Sequence, residues 1–282
     1  MDYIQAVGNH DKGQEANALD VALTNTEVCN LFKQYTKHTA DTLYQYYDYT
    51  NKKVRIIKID GYDYPLEDDG NGNVKYNLAD YNGYISQTQF QWIVSSLLST
   101  PDGYSVIVTG HLYPLHKLVT QVTELMYALK NKASGTAHID LSTETLVPPS
   151  PTFDVSYDFT GANDVNIVGL LCGHDHMDSC VISSGEPDGD GKYTNSIDNG
   201  KVTVNTHGIT VMGIRCQMMR DISWRTHRDR MPYTDSQNCF NMISLDTKKK
   251  KMYVLRYGVE ADTISSANVV PILYGREEFD IM

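Results

Sequence analysis

Three short loops in this chain carry residues that can hold a metal ion: Gly8-Asn9-His10-Asp11 near the start, Gly110-His111 in the middle, and Gly173-His174-Asp175-His176 beyond it. An amide carbonyl oxygen and imidazole nitrogens suit borderline ions such as Zn, Mn or Fe better than Ca, which takes an all-oxygen shell. Asn9, His111, His174 and His176 therefore form a candidate ligand set, and the two-residue spacing of His174 and His176 lets them point apart and serve two ions. The glycine before each ligand permits a sharp turn, with positive φ where one is required, that aims the next side chain over a strand edge. One strand-end histidine is weak evidence of a site; three such loops, each after an apolar run, are much stronger.

The segments around these loops read as the scaffold that positions them. Residues 2–7, 104–109 and 165–172 have strand character and run into the first, second and third loops. Residues 25–38 show a helical pattern with Val28, Leu31, Phe32 and Tyr35 on one face and a polar cap at Thr24 or Asn25. Residues 43–49 and 53–60 read as a hairpin. Residues 61–84, which include Glu67-Asp68-Asp69-Gly70-Asn71-Gly72, have turn-forming composition throughout and read as an exposed excursion. Ser86 caps a helix in which Phe90, Ile93, Val94, Leu97 and Leu98 recur at helical spacing, and residues 118–130 form another. Residues 131–151, rich in Ser, Thr and Pro, read as a long loop at the edge of the domain. Short strands are expected at residues 181–184 and 202–206. A terminal hairpin follows, residues 239–246 and 252–258, about the solvated turn Thr247-Lys248-Lys249-Lys250.

Composition bounds the rest. A chain of 282 residues, 41% hydrophobic and 21% charged, suits one large soluble α/β domain or two small ones. No apolar run nears the ~20 residues that cross a bilayer, and no basic-then-apolar leader opens the chain. The expectation is no membrane partner, no signal peptide, and a cytoplasmic or assembly-associated location. A formal charge of −11 argues against a free-standing nucleic-acid binder, so nucleic acid enters only as a substrate. Bound divalent ions can still reverse the local field for a phosphate group. Five cysteines without a CxxC pair read as reduced thiols. His116 and His207 are further candidates for contact with substrate or metal, set against a structural role. The arginines from Arg215 to Arg230, interleaved with Asp221 and Asp229, read as a solvated ion-pair surface.

Together the loops resemble the ordered motifs of calcineurin-like metallophosphoesterases, GNHD or GNHE, then GH, then GHxH. The resemblance covers roughly residues 4–260. Within it, Val54-Arg55-Ile56-Ile57-Lys58-Ile59-Asp60 looks like the family's central strand, and residues 87–98 like the helix before the GH strand. It implies an α/β fold, a four-layer α/β/β/α sandwich over residues 1–260, with residues 261–282 as a C-terminal tail. It implies Asn9, His111 and His174 on one divalent ion (Mn, Fe or Zn) and His176 on a second. His10 would be the catalytic general acid, or a cation stabilising the leaving oxygen, with Asp11 supporting its loop. The implied reaction is hydrolysis of phosphomonoesters or phosphodiesters by a metal-activated hydroxide.

The chain departs from the family pattern in one respect: neither Asp-x-His nor Gly-Asp-x-x-Asp, which supply the remaining ligands upstream of GNHD, occurs in it. The sandwich is therefore expected to lack its first strands, and the chain alone to hold one ion or fewer well. A preceding segment or a partner chain would complete the sheet and the metal site, covering edges that otherwise invite association. The competing expectation is a catalytically degenerate phosphoesterase-like domain that serves as a structural or interaction module in a larger assembly.

Overall fold

The computed structural model of the protein describes residues 3–13, 18–76, 83–112, 117–141, 152–174, 179–181, 207–213, 239–258 and 276–282. In chain order its elements are α1 (Asn25–Tyr35), β1 (Gln45–Tyr49), β2 (Val54–Lys58), α2 (Gln87–Leu98), β3 (Ser105–Gly110), α3 (Lys117–Lys130), β4 (Ser134–Asp140), β5 (Thr152–Asp158), β6 (Asn166–Cys172), β7 (Ser179–Val181), β8 (Val211–Gly213), β9 (Cys239–Asp246), β10 (Lys251–Gly258) and β11 (Arg276–Asp280).

A six-stranded mixed sheet runs in the order β1-β2-β3-β6-β8-β7. Its middle, β2, β3, β6 and β8, is parallel, and β1 and β7 close the two edges as antiparallel strands. Strands buried on both faces need apolar residues at consecutive positions, and Val106-Ile107-Val108 on β3 supplies them. Alternate side chains then sort to opposite faces. Ile57, Val106, Val108, Ile167 and Leu170 share a core with Phe90, Ile93 and Leu97 of α2 and Val119, Val122 and Met126 of α3. Ile107, Val168 and Met212 instead pack with Met252, Val254 and Phe279 of a second, three-stranded sheet, β11-β10-β9. The described residues thus form an α/β arrangement of helices, mixed sheet and second sheet. Arg55 on β2 ties the hairpin to the C-terminal end of α2. Its guanidinium holds both Asp48 oxygens at 2.7 Å and donates to the Ser96 carbonyl at 2.7 Å, the carbonyl-rich pole where a cation is favoured.

Several elements differ from the expectation. Residues 3–8 join no sheet among the described residues, although Val7 is buried against Val28, Cys29 and Leu43. On α1 only a narrow stripe, Val28 and Cys29 with Phe32 behind them, is covered, while Leu31 and Tyr35 are 45% and 69% exposed. The N-cap is Thr24, in a capping box with Glu27. β2 lies second from the sheet edge rather than at its centre, because its hairpin partner β1 occupies one side. Residues 61–84 are not exposed throughout: Pro65, Asp68–Gly72 and Lys75 are exposed, whereas Tyr62, Tyr64 and Tyr84 are buried and Tyr64 stacks edge-on against Tyr76 and Tyr84. Within 131–151, β4 pairs antiparallel with β5. Its buried positions Ala137 and Ile139 alternate with Thr136, His138 and Asp140, polar residues that mask the strand pattern. Residues 202–206 lie outside the described residues. Residues 276–282, set apart above as a tail, form β11 and end with Met282 exchanging backbone hydrogen bonds with Ile167 of β6.

One irregularity sets how the ligand-bearing strands align. Val106 pairs with Ile167 but Ile107 pairs with Gly169, so Val168 bulges out of the β3–β6 ladder and the register moves by one residue before reaching Gly110 opposite Cys172. Gly169 carries the bulge at φ +151°, a region closed to side chains, and a Cβ there would stand 2.5 Å from the Thr210 carbonyl oxygen. Gly169→Ala is expected to destabilise the fold by on the order of 2 kcal/mol or more, seen as a lower urea midpoint. An unchanged midpoint would show that the bulge does not need glycine.

Candidate metal centre

β2, β3 and β6 are neighbours that run the same way, so their C-terminal ends open side by side, where parallel sheets place their ligand sites. His111 follows β3 directly, and His174 follows β6 after Gly173. The Asn9 turn meets them from the N-terminal segment. Asn9 is 3% exposed, its Oδ1 standing 3.1 Å from His111 Nε2 and 3.3 Å from His174 Nδ1, and its amide nitrogen donates to His10 Nε2 at 3.2 Å. That last bond fixes the amide's orientation, so the oxygen, not the nitrogen, faces the two imidazoles. The imidazoles meet edge to face, centroids 5.5 Å apart. Donors that share one ion at ~2.1 Å, in tetrahedral or octahedral array, lie ~3.0–3.4 Å from one another. The two spacings about Asn9 Oδ1 therefore suit donors that share one borderline metal, and so does the chemistry of the three groups.

His10 is exposed beside this trio, and Asp11 closes the turn by accepting the Gly8 N–H at 2.6 Å. His176 lies outside the described residues, as does His116. Among the described residues no cluster of three His, Cys, Asp or Glu side chains gathers; the trio has two histidines and an amide.

None of the three glycines before the ligands requires positive φ. Gly8, Gly110 and Gly173 all keep ordinary φ, and the left-handed residue is His174 itself at +73°. The glycines are needed for close approach. A Cβ on Gly8 would sit 3.1 Å from the His111 ring, one on Gly173 2.8 Å from His111 Nδ1, and one on Gly110 2.5 Å from Ile59. His111 thus lies in a slot between two backbones. A non-glycine residue in the left-handed region costs ~1–2 kcal/mol, and strain of this kind gathers at functional sites.

Residues that the sequence did not single out hold the site from below. Tyr62, just past β2, is fully buried, and its hydroxyl is 2.9 Å from His174 Nδ1. Its N–H donates to Asp60 Oδ1 and its carbonyl accepts from the Lys12 ammonium, both at 2.9 Å. Lys12, on the Asn9 turn, is itself buried and lies 3.8 Å from Asp60 Oδ2. Gln89 of α2 fastens Asp60 by both main-chain groups, accepting its N–H at 2.8 Å and donating to its carbonyl at 2.9 Å. Nearby, burial pushes the Asp63 carboxyl up to about 6; the negative Asp60 adds to this, and hydrogen bonds from Ser86 and Gln89 oppose it. Asp60, Tyr62 and Asp63 sit in a Tyr- and Asp-rich stretch whose composition signals turns, which hides them from sequence.

The other histidines lie elsewhere. His38 is buried with its Nδ1 3.3 Å from both the Lys58 ammonium and the Tyr47 hydroxyl; burial and that neighbouring charge hold it down to about 4. His207 stacks on Tyr127, and exposed His138 pairs with Asp154 at 2.7 Å. His227 and residues 215–230 lie outside the described residues. Cys29 and Cys172 are buried and free. No helix among the described residues is long and apolar enough to cross a membrane. Neither a protein-family model nor a curated protein matches the sequence.

Two outcomes are expected. In Gly173→Ala the new methyl displaces the His111 ring, and Zn or Mn affinity by titration calorimetry should fall about tenfold or more while the melting temperature holds; equal affinity would remove the slot from the argument. Because the folded protein binds the Asp63 proton more tightly than the unfolded chain, the stability that Asp63 contributes is complete below its ordinary carboxylate range and is lost as pH rises through about 6. Asp63→Asn should remove that component, read as urea midpoints on either side of pH 6.

Proposed function

We propose that this chain is a metal-dependent phosphoesterase of the calcineurin-like kind, hydrolysing phosphomonoesters or phosphodiesters. The observation that carries the proposal is the approach of His111 Nε2 and His174 Nδ1 to 3.1 Å and 3.3 Å from Asn9 Oδ1, across more than a hundred residues of sequence in each case. Divalent ions held there supply the Lewis acidity that stabilises charge gathering on phosphoryl oxygens. Asn9, His111 and His174 hold one ion, and His176 is assigned to a second. His10 stands exposed beside Asn9, where it can deliver a proton to a leaving oxygen from the solvent side.

The finer fold reading belongs with this proposal. Helices, mixed sheet and second sheet are compatible with three layers of an α/β/β/α sandwich. The remaining ligands, including a carboxylate shared by both ions, are assigned to a preceding segment or a partner chain. That reading agrees with a neutral donor trio, which by itself compensates none of a dication's charge. The degenerate-module alternative has no observation in its favour that the enzyme reading lacks.

The test is Mn- or Co-supported hydrolysis of an aryl phosphate ester, in the full chain and with any completing segment supplied. His10→Ala should lower kcat about 100-fold or more while metal content is retained, and Asn9→Ala should lower metal content itself. Unchanged turnover in His10→Ala would remove that residue from the chemistry, and absence of any metal binding would overturn the proposal.

A further inference from the structure

We propose that the Tyr62 phenol oxygen is a fourth donor of this centre, joining Asn9, His111 and His174 around one ion; the assignment rests on the metal-centre reading given above. Tyr62 follows β2 as His111 follows β3 and His174 follows β6, so each of three adjacent parallel strands ends in a donor. Its ring stands almost equally far from both imidazoles, 6.0 Å from His111 and 6.2 Å from His174 by centroid. Its hydroxyl is 2.9 Å from His174 Nδ1, the same nitrogen that faces Asn9 Oδ1 at 3.3 Å. The second spacing falls within, and the first just below, the ~3.0–3.4 Å between neighbouring ligands in one coordination shell.

The chemistry of that nitrogen makes the case sharper. Nδ1 of an imidazole has either one lone pair or one proton. With a lone pair it accepts from the Tyr62 hydroxyl and then opposes the lone pairs of Asn9 Oδ1. With a proton it must divide one bond between two oxygens. A cation among the four atoms turns every one of these contacts attractive. Charge points the same way. Asn9, His111 and His174 are neutral donors, whereas a phenolate brings a negative charge to a hard oxygen, which suits Fe or Zn in a buried setting. As the oxygen–metal bond forms, the phenol proton passes to solvent. The position is also held independently of the ring, since the Tyr62 main chain is fastened by Asp60 and Lys12.

Loading the full chain with Fe(III) should produce a visible phenolate-to-iron charge-transfer band and phenolate vibrations in the resonance Raman spectrum. Tyr62→Phe should abolish both and weaken Zn binding about tenfold or more by calorimetry, with circular dichroism unchanged. Equal Zn affinity in Tyr62→Phe, or a band that survives the substitution, would overturn the assignment. Should the variant fail to fold, the Raman spectrum of the wild-type chain decides alone, because Fe(III) bound without phenolate modes also overturns it. If the wild-type chain and Asn9→Ala alike bind neither ion, the metal-centre reading itself falls, and this one with it.

Discussion

Everything at the candidate site depends on three parallel strands ending level with one another. In the ladder, Lys58 pairs with Thr109 and Gly110 with Cys172, so the residues that leave β2, β3 and β6 emerge along one line at the sheet's carboxyl edge. Parallel pairing is slightly weaker per residue than antiparallel pairing, and it becomes tenable when both faces are covered. Here helices cover one face and the second sheet covers the other. The bulge at Val168 completes the arrangement, because without it β6 would arrive one residue out of register and present its other face. A slip of one residue in a strand inverts every side chain, and His174 would no longer face His111.

Within that frame the site is built by removing side chains as much as by adding them. His111 fits only because Gly8 and Gly173 leave bare backbone on either side of its ring. Gly110 in turn lets β3 pass close to Ile59. With the ring confined, its Nε2 is aimed at Asn9. His174 is secured differently. It takes a left-handed backbone conformation, and its ring nitrogen is met by Tyr62. Two imidazoles that look equivalent in sequence are thus fixed by unlike means, one by sterics and one by a strained main chain plus a buried hydroxyl.

This difference explains what could be read in advance. An apolar run followed by Gly-His announces a strand and the loop beyond it, because burial fixes the run and glycine permits the approach; β3 with His111 and β6 with His174 were visible for that reason. The hairpin β1–β2 and the α2 helix, capped at Ser86, were equally legible from periodicity and caps. Tyr62 was not. Its neighbours Asp60, Gly61, Asp63 and Pro65 have the composition of a turn, and only the sheet shows that this turn begins at the same edge as the other two. The bulge was hidden too, since Val168-Gly169 in a strand leaves no mark that distinguishes a bend from simple close packing. The strand β4 was hidden by Ser, Gly and Thr on its exposed positions, and residues 3–8, apolar enough for a strand, join no ladder among those described.

The polar groups beneath the site follow from the same geometry. Lys12, Asp60, Gln89 and Tyr62 are all buried, and hydrogen bonds join the Asn9 turn to β2 and β2 to α2. Asp60 Oδ2 nonetheless finds no hydrogen bond among the described residues, and the Lys12 ammonium at 3.8 Å is too distant to give one. An apolar set of similar volume would avoid that desolvation cost, so stability alone does not account for the network. Direction does: a hydrogen bond fixes an angle where a hydrophobic contact leaves freedom. The residues 3–8 leading to the Asn9 turn gain no strand ladder among the described residues, so the turn is placed by contacts such as Lys12 with Tyr62, the Leu23 N–H on the Lys12 carbonyl at 2.8 Å, and Val7 in its small apolar cluster. The same tyrosine then anchors the turn through its carbonyl and reaches His174 through its hydroxyl, so the Asn9 turn and the His174 loop are coupled through one residue. A substitution that loosened Lys12 would therefore disturb His174 by moving the Tyr62 main chain.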